Sequence, residues 1–179
     1  MRVITGTARG RRLETLEGEA TRPTADRVKE ALFSMLQFEL EGRQVLDLFA
    51  GSGQLGIEAL SRGAAGCVFV DSSPEAAEII KRNLQATRLF SQAHVLCRDA
   101  LDFCAHTRDR FDLVLMDPPY AAADDLLPRL LPLTAAFARP GGTMVCETGA
   151  DTRLPESVGE AALWRVKAYG RTRLWIYRR

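Results

Sequence analysis

Strand-like and helix-like patterns alternate along this chain from residue 44 onward, and that alternation is the strongest constraint on its fold. "QVLDLF" is a short apolar run. "QLGIEALSRG" then places Leu55, Ile57, Ala59 and Leu60 at helical spacing and stops at Gly63. "AGCVFVD" reads as a second buried strand ending in Asp71. "SSPEAAEIIKRNLQATRL" opens with Ser73 as N-cap and Pro74 at the first helical position. "AHVLCRDA" is a third strand ending near Asp99, with a short helix through Cys104 after it. "FDLVLMD" is a fourth, and it stops at "PPY". A helix follows over about residues 124–138, and "RPGG" turns the chain into "TMVCE". The last two strand patterns, "ALWRVKAYG" and "TRLWIYRR", meet at Gly170 and must run antiparallel, because so few residues join them. Such an order predicts an α/β fold: a mostly parallel sheet with helices on both faces and an antiparallel C-terminal hairpin.

Two elements precede this unit. "RVITG" and "RRLETL", separated by a Gly-bounded turn, predict a small basic β-hairpin. "RPTADRVKEALFSML" predicts a helix with Thr24 as N-cap and Val28, Ala31, Leu32, Met35 and Leu36 on one face. We therefore divide the 179 residues into an N-terminal extension, 1–20, and one domain, 21–179. No run approaches the ~20 apolar residues that cross a bilayer, and no secretory signal is visible, so a cytoplasmic location is expected. Cys67, Cys97, Cys104 and Cys146 form no C-x-x-C pair and read as reduced thiols; no metal is expected. His94 and His106 read as surface or edge residues.

The formal net charge of +1 hides an asymmetry. Residues 1–12 carry four arginines and no acid; residues 165–179 carry five arginines, one lysine and no acid. The stretch between has 14 basic against 23 acidic residues. An anionic partner should meet the ends of the chain, above all Arg2, Arg9, Arg11 and Arg12.

"VLDLFAGSGQLG" contains a G-x-G-x-x-G at Gly51, Gly53 and Gly56, and Asp71 follows where a ribose-binding carboxylate belongs. A dinucleotide would fit that spacing. Asp47, however, precedes the loop by four residues and would repel a pyrophosphate. Acids stand at or near four strand ends: Asp47, Asp71, Asp99 and Asp117. Carboxylates around the loop suit a ligand with cationic groups, a ribose and an adenine amine, which is S-adenosylmethionine.

"DPPY", Asp117–Tyr120, lies on the same rim. The lone pair of a base amine is delocalised into its ring. The Asp117 carboxylate and the Pro118 carbonyl, its direction fixed by Pro118 and Pro119, can grip both amine hydrogens and free that lone pair. Tyr120 offers a face on which an unstacked base can lie. With the methyl donor already activated, alignment supplies much of the rate.

"DLFAGSGQLGIEALSRGA", "DPPY", "RPTADRVKEALF", "MRVITGTARGRRL" and "KAYGRTRLWIY" together resemble the bacterial small-subunit (16S) ribosomal RNA (guanine-2-amino) methyltransferase D family over nearly the whole chain. The resemblance implies a class I, Rossmann-like methyltransferase fold of seven strands. It implies a cofactor site of Asp47, Phe49, Ala50, Gly51, Ser52 and Gly53 at the methionine end, Asp71 and Ser72 at the ribose, and Asp99 and Ala100 at the adenine. Asp117, Pro118, Pro119 and Tyr120 would hold the guanine. Arg22, Thr24 and Arg27 would close over cofactor or RNA. Partners would be 16S ribosomal RNA in the small subunit, together with ribosomal proteins, and the enzyme would be a monomer.

Three other functions use parts of the same pattern. An adenine 6-amino methyltransferase of DNA or RNA would use the same tetrapeptide, but the DNA enzymes need a target-recognition region for which this chain has no room. A protein glutamine methyltransferase would not need arginine-rich ends. A non-enzymatic RNA-binding module would not need the acids or "DPPY". The residues alone do not separate guanine from adenine, since an acceptor pair grips any exocyclic amine.

Overall fold

The computed structural model describes residues 1–16 and 23–179. Helix α1 (Pro23–Met35) leads into strand β1 (Gln44–Leu48), helix α2 (Gln54–Ser61), β2 (Gly66–Asp71) and α3 (Pro74–Thr87). A short 3₁₀ turn, Phe90–Gln92, precedes β3 (Ala93–Cys97), α4 (Ala100–His106), β4 (Phe111–Met116) and α5 (Tyr120–Phe137). The chain ends in β5 (Ala138–Gly149), β6 (Ser157–Val158), β7 (Ala161–Tyr169) and β8 (Thr172–Arg178).

Among the described residues these strands form one eight-stranded sheet in the order β3-β2-β1-β4-β5-β8-β7-β6. β1 to β5 are mutually parallel, and β8 runs antiparallel between β5 and β7. The count exceeds the expected seven by the two-residue β6, too short to leave a periodic signal. The order reverses between β1 and β4, so the carboxyl ends of β1, β2, β4 and β5 share one rim, where a doubly wound sheet binds its ligands.

Each sheet face buries its own helices. On one face Val28, Leu32, Phe33 and Leu36 of α1 pack with α2, with Ile80 and Leu84 of α3, and with Val3, Ala8 and Leu13 of the N-terminal segment. Phe103 of α4 and Leu127, Leu130 and Leu131 of α5 cover the other. Truncating a fully buried ring such as Phe33 to alanine would cost about 3–5 kcal/mol.

The sequence reading needs correction in four places. The N-terminal segment is hairpin-shaped but carries a single bridge, Arg2 to Arg12, rather than two strands. It is held from outside instead. Buried Glu58 of α2 accepts the amides of Ile4 (2.7 Å) and Thr5 (3.0 Å), and Ser61 accepts that of Ala8 (3.0 Å). Gly6 comes so close that a Cβ there would stand 1.7 Å from the Ser61 carbonyl oxygen. Second, α1 begins at Pro23, which puts Thr24 inside the helix rather than at its N-cap. Third, α5 starts at Tyr120, directly after the two prolines. It tolerates Pro128 and Pro132 because both lie on its exposed side, where water can satisfy the carbonyls they leave without donors. Fourth, "RPGG" is not a turn before a strand: β5 runs through it, and its pairing with β4 slips between Phe111 and Leu113.

Candidate active site

The loop between β1 and α2 is shaped by three left-handed exceptions, Phe49 (φ 60°), Gly51 (φ 53°) and Gly53 (φ 77°). Only glycine adopts such angles without cost, so Phe49 is a strained residue held by its surroundings. Gly56 serves another purpose: a Cβ there would fall 2.3 Å from the Phe69 ring, so it lets α2 lie against β2. Ser52 is buried, and its hydroxyl oxygen finds no hydrogen-bond partner among the described residues; neither does the buried side-chain oxygen of Gln54. Two orphaned polar atoms in one glycine loop mark a place built to meet a polar group from outside.

The strand-end acids do not stand open around this loop. Asp47 is 1% exposed, and its Oδ2 accepts the Gly56 amide at 2.8 Å. Burial, reinforced by nearby Asp71 and opposed by that amide, lifts its carboxyl to about 8. Its placement at the mouth of the loop as a free anion is therefore corrected: at neutral pH it is largely a neutral acid beneath the loop. Asp71 is half-buried and accepts the amides of Gly51 and Ser73, both at 2.9 Å, joining the loop to the start of α3. Asp99 is exposed and caps α4 through the Asp102 amide at 2.9 Å. Ser72 is exposed and Ala100 buried beside them.

At the other end of the rim β4 delivers Asp117, half-buried, and Pro118, buried, with exposed Pro119 next. The Asp117 amide faces the Leu48 carbonyl of β1 at 3.5 Å, which places "DPPY" beside the glycine loop. Tyr120 opens α5 with half its surface exposed. Its hydroxyl donates to Glu147 Oε1 (3.2 Å) and lies 2.8 Å from Thr172 Oγ1. With one proton to give, the tyrosine donates to the carboxylate and accepts from the threonine. Burial raises both the Tyr120 phenol and the Glu147 carboxyl above their ordinary values.

Arg2, Arg9, Arg11 and Arg12 are exposed, and among the described residues none is in a salt bridge. Arg2 and Arg9 line a groove of about 300 Å³ shared with Val3, Ile4, Gly10, Asp26 and Glu30. The tip of the N-terminal segment sits on Ser61, at the end of α2 away from the glycine loop. The C-terminal arginines are mostly spent internally: Arg178 pairs with Glu39 and Arg179 with Glu160, while Arg165 and Arg178 flank the Trp164 ring. Arg27 is exposed on α1. Arg22 lies outside the described residues, as does the Thr24 side chain.

The protein family described as Conserved hypothetical protein 95 matches residues 1–178. The Ribosomal RNA small subunit methyltransferase D of Escherichia coli (strain K12) is 33% identical over 185 residues, covering 100% of this chain and 90% of its own. The chain belongs to this methyltransferase D family. YlbH of Bacillus subtilis (strain 168) is 41% identical over 184 residues, covering 100% of this chain and 99% of its own. Among solved structures, Escherichia coli yhhF superposes with a TM-score of 0.87 at 31% identity, over 100% of this chain and 97% of that one. SMU.776, solved with SAH, shares the fold at a TM-score of 0.69 and 13% identity, over 82% of this chain and 49% of that one.

Two residues of this methyltransferase D family member escaped the sequence reading. Asn83 of α3 is buried. Its Nδ2 donates to the carbonyls of Ser52 (2.8 Å) and Glu14 (3.0 Å), and its Oδ1 accepts the Glu14 amide at 2.8 Å. One side chain thus ties the N-terminal segment to the glycine loop. The signal was an asparagine on the buried stripe that carries Ala76, Ile79, Ile80 and Leu84. Glu147 is the other: an acid closing the apolar run "TMVCE", two residues short of the end of β5.

Among the described residues, no three of His, Cys, Asp and Glu gather as a metal site, and no helix is long and apolar enough to cross a membrane. Cys67, Cys104 and Cys146 are buried, whereas Cys97 is exposed because β3 is an edge strand. Both histidines are exposed.

Proposed function

We propose that this protein transfers a methyl group from S-adenosylmethionine to the exocyclic 2-amino group of a guanine in small-subunit (16S) ribosomal RNA, in the assembled particle. The observation that carries the reading is the shared rim: "DPPY" and the glycine loop lie side by side, with half of Tyr120 open to solvent. Family membership and the names of the relatives supply the RNA.

The loop fits the cofactor. Ser52 and Gln54 offer buried oxygens in want of a partner, and Ala50, Gly51 and Gly53 let a ligand approach the backbone beside Phe49. Each Asp71 oxygen keeps a lone pair for a ribose hydroxyl beyond the amide it accepts. Ser72, Asp99 and Ala100 would border the adenine. When bound, the sulfonium supplies an activated methyl. The chain's own share is alignment: Asp117 and the Pro118 carbonyl accept the amine hydrogens, Pro119 fixes the turn, and Tyr120 stacks the base. The amine sheds a proton as it is methylated, and Asp117 is the acceptor in place.

RNA would be gripped by Arg2, Arg9, Arg11 and Arg12, with Arg22, Thr24 and Arg27 assigned to closing over cofactor or RNA, so residues 1–20 act as an extension of the catalytic domain 21–179. Ribosomal proteins would border that contact. Nucleoside mass spectrometry of small-subunit RNA from cells lacking the gene tests the reading. One 2-methylguanosine should vanish and return on complementation; an unchanged guanine profile with a lost methyladenosine would overturn it.

A further inference from the structure

Resting on that reading, the geometry points to Glu147 as the residue that selects guanine, its carboxylate accepting the ring N1–H beside the 2-amino group. β4 and β5 run parallel with Met116 opposite Cys146, so Asp117, just past the end of β4, and Glu147, still inside β5, follow at neighbouring positions on the same face of the sheet. That face is the one to which Leu115 and Val145, two residues earlier, contribute their side chains. The Tyr120 hydroxyl reaches Glu147 Oε1 and Thr172 Oγ1, so the stacking ring and the carboxylate form one unit.

The chemistry of the bases gives this neighbour its meaning. Asp117 and Pro118 accept amine hydrogens without regard to the base. Three bases carry an exocyclic amine, and they differ in the ring nitrogen beside it. In adenine N1 is an acceptor, in cytosine N3 is an acceptor, and in guanine N1 carries a hydrogen. A carboxylate one strand over from Asp117 is complementary to guanine alone and repels the lone pair of the other two. Tyr120, itself bonded to Thr172, takes only Oε1 of the carboxylate, so Oε2 is the oxygen the proposal gives to N1–H. A pocket built to bond a donor rejects an analogue that lacks it far more strongly than an apolar pocket rejects a size change.

2-Aminopurine is the decisive probe, because it keeps the 2-amino group and presents N1 as an acceptor. Small subunits would be reconstituted from RNA carrying guanine or 2-aminopurine at the target position, located by mass mapping of nuclease fragments of that RNA. The native protein should favour guanine by about 30-fold or more in kcat/KM. Glu147→Gln, whose amide can turn an N–H toward N1, should compress that ratio to about threefold or less. Thr172→Val, which loosens Tyr120 and leaves the carboxylate, should slow both substrates alike and preserve the ratio. Equal use of the two bases by the native protein would overturn the assignment, as would an E147Q enzyme that slows both bases and keeps the preference. Failure of the native protein to methylate guanine at all would instead overturn the proposed function.

Discussion

The two halves of the rim handle carboxylates in opposite ways. In the glycine-loop half the acids turn to the backbone: Asp47 to Gly56, Asp71 to Gly51 and Ser73, Asp99 to Asp102. In the "DPPY" half Glu147 meets another side chain, the Tyr120 hydroxyl, which Thr172 also holds. Acids bonded to amides fix the backbone before any ligand arrives, and where the acid is ionised and desolvated such a bond is worth about 1.5–3 kcal/mol. Side-chain pairs leave a pocket whose parts can shift against one another. The glycine-loop half is thus tied to the backbone, and the "DPPY" half rests on bonds between side chains.

The sharpest way to break that contrast is at Asp117. Asp117→Ala should lower single-turnover methyl transfer on the order of 10²–10³-fold while calorimetry shows cofactor affinity nearly unchanged. Equal losses in both would mean that the halves are one unit. Next comes Asp71→Ala, which removes the bonds to the Gly51 and Ser73 amides together with the proposed ribose contact. Cofactor affinity should fall about 10–100-fold and the melting temperature should drop with it. A variant that loses affinity at unchanged melting temperature would show the loop to be held by something else.

Asp47 gives a pH signature. Its folded value, about 8, lies above its unfolded one, so between roughly pH 4 and 8 the folded state keeps a proton that the unfolded state releases. The contribution is fully present at acid pH and lost as pH rises through that window. Asp47→Asn should therefore be more stable than the native chain by about 2–4 kcal/mol at pH 7, the gap closing toward pH 4, as read by denaturant melts. A pH-independent difference would place the charge elsewhere. The smallest effect belongs to Tyr120→Phe. The ring stays and one clamp is lost, so kcat should fall about threefold to tenfold. An intact rate would deny the hydroxyl any part in positioning.

How much of this was legible in the chain follows from what periodicity encodes. The ends of β2 and β4 and the start of α3 were readable because the apolar runs and Ser73–Pro74 mark them locally, whereas the starts of α1 and α5 and the bounds of β5 were not. Where a strand-end carboxylate turns was not. Nothing near Asp47 in sequence says that Gly56, nine residues on, will take its oxygen. The single-bridge N-terminal segment was overread for the same reason: its hydrogen-bond partners, Glu58 and Ser61, lie more than fifty residues away. Asn83 and Glu147 were visible as polar residues in apolar patterns. A polar group on a buried stripe needs a partner, so its position alone announces a hydrogen bond without saying to what.

Asn83 also sets a rule for how this architecture can be rebuilt. Its three bonds make the segment ending at Glu14 and the loop at Ser52 two clients of one amide. A transplanted arm from a distant relative would arrive without its docking partner unless residue 83 and the backbone around position 14 travelled with it. Modular exchange at this end of the molecule is therefore governed by a residue in neither module, and a chimaera designed at the chain's visible seams would cut across it.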